Sequence, residues 1–186
     1  MRKLIFGISL IAITALLPSF IPVHKELAAS EAQEESYAAV KWYTWEEAIK
    51  AAEKSPKKIF VDVYTEWCGW CKKMDRNTFA KKNVAEYLNK NFYPVKLDAE
   101  QKADIKYKDS VLKYLPDSGR RGIHELAYAL LEGRMSYPSY VYLDENQDRI
   151  TISPGYKEAD DFIKELAFIS EEHYKTTTFD KYMKGK

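Results

Sequence analysis

Two cysteines, Cys68 and Cys71, lie between a short apolar run and a segment with helical character, and they are the only cysteines in the 186-residue chain. The run at 59–64 predicts a buried strand, and the segment after Gly69 predicts a helix. Two cysteines in the first turn of a helix can close a small, reversible disulfide. The unpaired backbone N–H groups of that turn also stabilise a thiolate on the first cysteine. The fold must therefore contain a buried strand that leads directly to a cysteine pair at the N-terminus of a helix.

The size and charge of the chain limit the classes of protein to which it can belong. Its length suits one domain with a single sizeable core, and a hydrophobic content of 46% is that of a folded protein. The formal net charge is +1, which gives no reason to expect a nucleic-acid partner or an acidic polymer as substrate.

The N-terminus has the pattern of a secretory signal. Arg2 and Lys3 precede an apolar run at 4–17, and small residues at 28–30 offer a cleavage site. The run is shorter than the roughly 20 apolar residues that a spanning helix needs. We therefore predict a signal peptide over 1–29.

This signal predicts a protein that works in a bacterial periplasm or is secreted. An uncleaved membrane anchor that extends to Val23 is the alternative, in which case the protein would face the periplasm and meet the membrane only through this segment. Residues 30–39 are polar and acidic, and we interpret them as a flexible lead. Outside the cytoplasm, a reversible cysteine pair needs a dedicated redox partner.

The hydrophobic pattern of the rest predicts alternating helices and strands. A capping-box pattern at Thr44 and Glu47 opens the first helix. Residues 102–122 favour an inserted hairpin, with a helix as the alternative, and the tail 174–186 is expected to pack weakly. The predicted helices cover 45–53, 70–79, 83–91, 123–131 and 157–170, and the predicted strands cover 58–64, 92–97, 139–143 and 149–153.

The sequence resembles the thioredoxin-fold family in three blocks that occur in the family's order. The blocks are Phe60-Val61-Asp62 through Glu66-Trp67-Cys68-Gly69-x-Cys71-Lys72, then residues 93–98, then residues 137–144. The resemblance covers about 40–170. It implies an α/β fold, the thioredoxin fold, with a central mixed β-sheet flanked by helices, a domain over 40–173 and an insertion before the strand that follows a cis-proline.

The resemblance also implies a catalytic set. Cys68 would be the exposed nucleophile, and Cys71, more buried, would resolve the mixed disulfide. Asp62 would exchange a proton with Cys71 through water; otherwise it is an acid satisfied by a neighbouring polar group. Pro138, if cis, would lie against the pair and leave the backbone of Tyr137 free for an extended substrate.

Further residues are expected to support the reaction. Trp67, Gly69, Trp70 and Tyr137 are expected to contact substrate, although packing around the motif would also explain the tryptophans. Lys96, where the family carries a partnering lysine, and Lys72 are expected to tune the pKa values of the site. Arg120 and Arg121 form a basic pair in a loop, of a kind that is usually solvated. The insertion that contains them could border the active-site rim and select partners.

The motif Cys-Gly-Trp-Cys resembles that of extracytoplasmic thioredoxin-like proteins, including the C-terminal domain of thiol:disulfide interchange reductases. This implies an enzyme that reduces disulfides of exported proteins, with protein thiols and disulfides as substrates, a membrane electron donor as a further partner and no cofactor beyond the Cys68–Cys71 disulfide. A disulfide oxidase or isomerase, and a non-catalytic binding module or chaperone, remain the alternatives.

Other uses of a Cys-x-x-Cys pair find less support. A structural zinc site needs four ligands, whereas the only histidines are His24, His124 and His173, far from the pair in sequence. Haem attachment would require histidine where Lys72 stands. A permanent structural disulfide remains an alternative, although a disulfide that spans only two residues at a helix start is a poor structural cross-link. No metal site is therefore expected.

Overall fold

A four-stranded mixed sheet forms the centre of the fold across residues 39–185, which are the residues that the computed structural model describes. The predicted signal peptide at 1–29 and all of the predicted lead at 30–39 except Ala39 lie outside them. Within 39–185, no helix has both the length and the apolar character needed to cross a membrane.

The predicted elements occur in the predicted order, and the described residues add two short strands and a C-terminal helix that the hydrophobic pattern did not predict. The strands are β1 (Lys58–Tyr64), β2 (Phe92–Asp98), β3 (Ile105–Tyr107), β4 (Ser110–Leu112), β5 (Tyr114–Leu115), β6 (Ile123–His124), β7 (Ser139–Leu143) and β8 (Arg149–Pro154). The helices are α1 (Trp45–Lys54), α2 (Gly69–Met74), which continues as a π-helical turn over Asp75–Phe79, α3 (Lys82–Asn91), α4 (Glu125–Leu130), α5 (Ala159–Ser170), which a 3₁₀ turn at His173–Lys175 follows, and α6 (Phe179–Lys184).

The central sheet has the strand order β2-β1-β7-β8. Strand β1 runs parallel to β2 and antiparallel to β7, and β7 runs antiparallel to β8. The expected mixed sheet flanked by helices is thus confirmed. The carboxyl ends of β1 and β2 meet the start of β7 at one edge of the sheet, which is the edge that carries the cysteine pair.

Side-chain alternation along β1 divides the core into two layers. Ile59, Val61 and Val63 face the layer built with α1 and α4. Phe60 faces the opposite layer, which contains residues of α2, α3 and α5. Asp62 shares the face of Phe60 because the two residues are two positions apart. The acid therefore lies on the side of the sheet that α2, the helix of Cys71, covers.

The insertion at 102–122 contains the predicted hairpin, which pairs β3 with β4. A second small antiparallel pair, β5 with β6, follows and closes the loop that carries Arg120 and Arg121. The helix predicted from 123 begins two residues later, at Glu125, because 123–124 are used by β6.

His124 marks the start of α4 and connects it to the insertion. Its Nδ1 accepts the N–H of Leu126 at 3.1 Å, and its Nε2 lies 3.1 Å from the carbonyl oxygen of Ala103. These partners fit a neutral ring that donates through Nε2, and burial, which lowers the pKa of His124, favours that neutral form.

The expectation of a weakly packed C-terminal tail is wrong. Phe179 and Tyr182 of α6 each lie 5.3 Å, between ring centroids, from Phe168 of α5, and only 9% of Tyr182 is exposed. The two residues lie three positions apart, and this spacing puts them on one face of a helix. That face packs against the layer built with α5.

Candidate active site

Cys68 and Cys71 are joined by a disulfide, with their Cα atoms 5.3 Å apart. Cys68 is the N-cap residue of α2, and its Sγ accepts the N–H of Cys71 at 3.0 Å. A sulfur in this place also meets the positive end of the helix dipole. The buried strand β1 and the short link after it thus place the pair at a helix N-terminus, as the motif predicts.

The expectation of an exposed Cys68 is wrong for this oxidised form. Cys68 is 5% exposed and Cys71 is 2% exposed. Cys68 is covered because its sulfur is bonded to Cys71 and turned toward the first turn of α2. The neighbouring Trp67 and Trp70 are by contrast more than half exposed.

Asp62 is buried in the middle of β1 and paired with a lysine. Lys96 Nζ, on the adjacent strand β2, donates to Asp62 Oδ2 at 2.7 Å. The other oxygen, Oδ1, is buried and has no hydrogen-bond partner among residues 39–185. Burial raises the pKa of Asp62 to about 6, although the charge and hydrogen bond of Lys96 act in the opposite direction.

Lys96 is shared by two carboxylates. Besides Asp62 it contacts Oδ1 of Asp75, in the π-helical turn after α2. Burial by itself would lower the pKa of Lys96, but the charge and hydrogen bond of Asp62, together with Asp75, raise it above its ordinary value. The lysine therefore stays charged and holds the two acids on either side of it.

Asp75 was missed by sequence reasoning, although a signal for it exists. It follows Cys71 by four residues, which places both on one face of the helix, and its backbone N–H bonds to the carbonyl oxygen of Cys71. This face lies over the layer that contains Asp62. The three charged side chains thus form a chain from the buried acid to the partly exposed Asp75.

Pro138 lies at the sheet edge where the cysteine pair begins. Its peptide bond with Tyr137 is cis, and its carbonyl oxygen accepts the N–H of Gly155 at 2.8 Å. Strand β7 starts at Ser139, opposite Val63. The antiparallel register therefore puts the proline level with Tyr64, the last residue of β1, from which the chain leads to Cys68.

Trp67 is held at this edge by two neighbours. Its Nε1 donates to a carboxylate oxygen of Glu100 at 2.8 Å, and its ring lies edge-on to that of Tyr137 at 5.9 Å between centroids. Trp67 therefore links the cysteine motif to the segment of the cis-proline. Glu100 had no recognisable sequence signal, because it comes 33 residues later in an unrelated turn.

The other predicted site residues lie around the first turn of α2. Trp70 packs against Tyr156, with 5.5 Å between ring centroids, and Lys73 Nζ lies over both rings. Gly69 and Lys72 are exposed. The cation that lies over the rings of Trp70 and Tyr156 is therefore Lys73, and the tuning role expected of Lys72 stays a prediction.

No cluster of three or more histidine, cysteine, aspartate or glutamate side chains within 39–185 is arranged to hold a metal ion. The chemistry that the described site offers is that of its sulfurs, its buried acid and its lysine.

A buried strand that ends at a Cys-x-x-Cys pair, a helix that starts on that pair and a cis-proline at the same edge define a thioredoxin-fold protein. Solved structures support this class. A structure described as DsbH oxidoreductase matches with a TM-score of 0.51 at 16% identity, over 75% of this chain and 91% of that one. A thioredoxin from Thermus thermophilus matches with a TM-score of 0.52 at 17% identity, over 70% and 87%. At these identities the likeness establishes the fold.

The particular family follows from the sequence itself. The family model Thioredox_DsbH, described as a protein of unknown function (DUF255), matches residues 27–151, and the chain belongs to this family. The resemblance to thioredoxin-like proteins that the three sequence blocks carry is thereby confirmed.

Named relatives match only a part of the chain. Spermatogenesis-associated protein 20 from Mus musculus is 37% identical over 71 residues, which are 38% of this chain and 9% of that protein. An uncharacterized protein from Archaeoglobus fulgidus is 34% identical over 58 residues, or 31% of this chain and 46% of that protein. The chain thus spans less than half the length of these relatives.

Proposed function

We propose that this protein is an extracytoplasmic thiol–disulfide oxidoreductase that reduces disulfides of exported proteins through a Cys68–Cys71 cycle. The observation that carries the proposal is the disulfide at the N-terminus of α2, with cis-Pro138 at the same edge of the sheet and Asp62 on the side of the sheet that α2 covers. A purely structural staple would need neither a buried acid on that side nor a cis-proline at that edge.

In the first step, the Cys68 thiolate attacks one sulfur of a substrate disulfide. The substrate S–S bond breaks, one substrate thiolate leaves, and a mixed disulfide forms between Cys68 and the other sulfur. The thiolate is favoured by the N–H of Cys71, which already points at this sulfur at 3.0 Å, and by the dipole of α2.

In the second step, Cys71 loses its proton and attacks Cys68 Sγ. The mixed disulfide breaks, the second substrate thiolate leaves, and the Cys68–Cys71 disulfide forms, so that two electrons have passed to the substrate. Asp62 takes the proton of Cys71 through water, since its pKa of about 6 suits exchange near neutral pH. A dithiol donor, which we place at the membrane, then returns the pair to its reduced form.

The location outside the cytoplasm is proposed from the N-terminal sequence. Arg2, Lys3 and the apolar run at 4–17 form the pattern of a signal peptide. In that setting a donor is required, because oxidising compartments favour the disulfide form.

The deciding experiment is the reduction potential of the Cys68–Cys71 pair, obtained by equilibration with thiol buffers of defined potential. A potential near about −270 mV, as for thioredoxin, would support the reducing direction. A potential near about −120 mV, as for strong oxidants, would replace it with disulfide formation. A pair that does not cycle, or turnover that is equal in Cys68→Ser, would leave only a binding module.

A further inference from the structure

A groove of about 500 Å³ opens beside the cysteine pair, between the insertion and the edge of the central sheet. Its surface is mostly apolar, and its large apolar side chains are those of Trp67, Tyr128, Met135 and Tyr137. Trp67 and Tyr128 are both more than half exposed. Large aromatic side chains gathered in an exposed groove are typical of a binding surface.

The groove reaches the two residues that directly precede Cys68 and Pro138. Trp67 directly precedes Cys68, and Tyr137 directly precedes cis-Pro138, so the two rings that border the groove are attached to the two parts of the site. A substrate whose cysteine is bonded to Cys68 must place its neighbouring residues close to these rings. An extended chain advances by about 3.3 Å per residue, so residues within two or three of that cysteine enter the groove.

The rim of the groove contributes positive charge. Arg120 and Arg121 both line it and are exposed, and the guanidinium of Arg121 lies over the Trp67 ring, 5.9 Å from its centroid. The carboxylate at the rim, Glu100, already accepts the indole N–H of Trp67. As a sequence pattern, the basic pair suggests a solvated loop. In the structure it lines the groove, where its positive charge is complementary to a carboxylate of a bound ligand.

The loop that carries the arginines is fixed in place. Tyr114 Oη donates to the carbonyl oxygen of Arg121, and Gly122 adopts a φ of +73°. A Cβ at 122 would collide with the Tyr114 ring and would approach the carbonyl oxygen of Leu115 to 2.9 Å. A preformed loop loses less entropy when a ligand binds than a loop that must first be ordered.

We propose that this groove selects the polypeptide substrates of the cysteine pair. Its occupant is an extended segment that carries an aromatic or large apolar residue and a carboxylate within about three residues of the disulfide-bonded cysteine. The apolar side chain enters among Trp67, Tyr128 and Met135, and the carboxylate meets Arg120 and Arg121. This inference rests on the proposed function and names the substrate class for it.

The test compares two peptides that differ in one charge. Each carries a cysteine in a mixed disulfide with the same reporter thiol and a phenylalanine two residues away, and the next residue is Glu in one peptide and Lys in the other. The reduced protein should turn over the Glu peptide with a higher kcat/KM, by about 5- to 10-fold at low salt, since each exposed ion pair contributes a modest energy. The preference should shrink at about 1 M salt, where screening is strong.

The variant Arg120→Glu/Arg121→Glu should reverse this preference. The matched control is Lys50→Glu/Lys106→Glu, which makes the same change in net charge on exposed residues that line a different surface cavity. The control should keep the wild-type preference. A preference that is absent in the wild-type protein, or that both double variants change equally, would overturn the inference.

Two readouts separate this inference from the proposed function. Reduction of a small neutral disulfide, hydroxyethyl disulfide, reports the redox cycle without the groove, and the kcat/KM of each peptide is normalised to it in every variant. Calorimetric binding of the two peptides with serine in place of cysteine reports the groove without the redox cycle. Intact reduction of the small disulfide with equal binding of the two peptides would overturn the groove and leave the enzyme. Tighter binding of the Glu peptide without any reduction would support the groove and overturn the enzyme.

Discussion

Lys96 Nζ lies 2.7 Å from Asp62 Oδ2, and the two residues are direct partners in the parallel pairing of β1 with β2. One oxygen of the acid therefore faces a cation, while the other lies buried without a hydrogen-bond partner in the described part of the chain. The unpaired oxygen can take up a proton without breaking the hydrogen bond from Lys96. Substitutions of Asp62 and its charged neighbours therefore test the role of this acid in proton exchange.

Asp62→Asn should slow thiol–disulfide exchange and change its pH dependence. Because the pKa of Asp62 is raised to about 6, the wild-type rate of mixed-disulfide resolution should rise with pH around 6 and then level off. The variant should lack this inflection. Stopped-flow tryptophan fluorescence from pH 4 to 9 measures it, with Asp98→Asn, at the end of the adjacent strand, as the control. An unchanged profile would make Asp62 a structural acid.

The same substitution should gain stability relative to the wild type as the pH rises to neutral. A group whose folded pKa is raised contributes stability below its unfolded pKa, and this contribution is lost as the pH rises through the folded pKa. A rise from 3.8 to about 6 corresponds to a loss on the order of 3 kcal/mol between about pH 4 and pH 7. Urea unfolding gives the free energy of unfolding of both proteins at about pH 4 and about pH 7. Between these pH values, the difference between Asp62→Asn and the wild type should change in favour of the variant by about this amount. A difference between the proteins that stays constant with pH would contradict the burial of an ionisable acid.

Asp75 and Lys96 should move the pKa of Asp62 in opposite directions. The negative charge of Asp75 raises this pKa and the positive charge of Lys96 lowers it. Asp75→Asn should therefore lower the kinetic inflection below that of the wild type, and Lys96→Met should raise it. Carbon NMR titration of the Asp62 carboxyl group gives the same shifts without turnover. Shifts of the same sign in both variants would contradict this arrangement of charges.

Cys71→Ser should trap the intermediate of the proposed cycle. Without the resolving thiol, Cys68 stays bonded to the substrate, and a mixed disulfide should accumulate that reductant releases. Non-reducing electrophoresis with mass spectrometry identifies the adduct, and Cys68→Ser, which lacks the nucleophile, is the matched control. Equal adducts in the two variants would show that the cysteines do not have distinct roles.

Gly122→Ala should be more costly than Gly119→Ala. Both glycines have a φ near +70°, so both substitutions introduce the strain of a left-handed backbone, of order 1 kcal/mol. Only at 122 would the new Cβ also collide with Tyr114 and the Leu115 carbonyl, whereas it meets nothing within 4 Å at 119. Thermal unfolding should rank wild type, Gly119→Ala and Gly122→Ala in falling order. Equal losses would mean that the β5–β6 loop relaxes freely.

Local sequence patterns predicted most of the elements. Strand β1, the capping box at Thr44 and the helix that follows the cysteine pair depend on residues close together in the chain, and each was found where the pattern placed it. The start of α4 was displaced because Ile123 and His124 pair with β5. Helix α6 was missed because its few apolar residues do not by themselves indicate a buried helix, and their packing partner, Phe168, lies in α5.

The sequence by itself therefore determined the order of most helices and strands and the cysteine pair at a helix start, since both follow from alternation and spacing within short segments. Its resemblance to the thioredoxin-fold family predicted the fold class. Tertiary structure decided the environment of the pair. It brought Lys96 between Asp62 and Asp75 across separations of 34 and 21 residues, and it placed Arg121 over Trp67. It also covered Cys68 in the oxidised form. These features arise because elements that are distant in the sequence pack together at one edge of the sheet. A local hydrophobic pattern does not show which side chains will be in contact there.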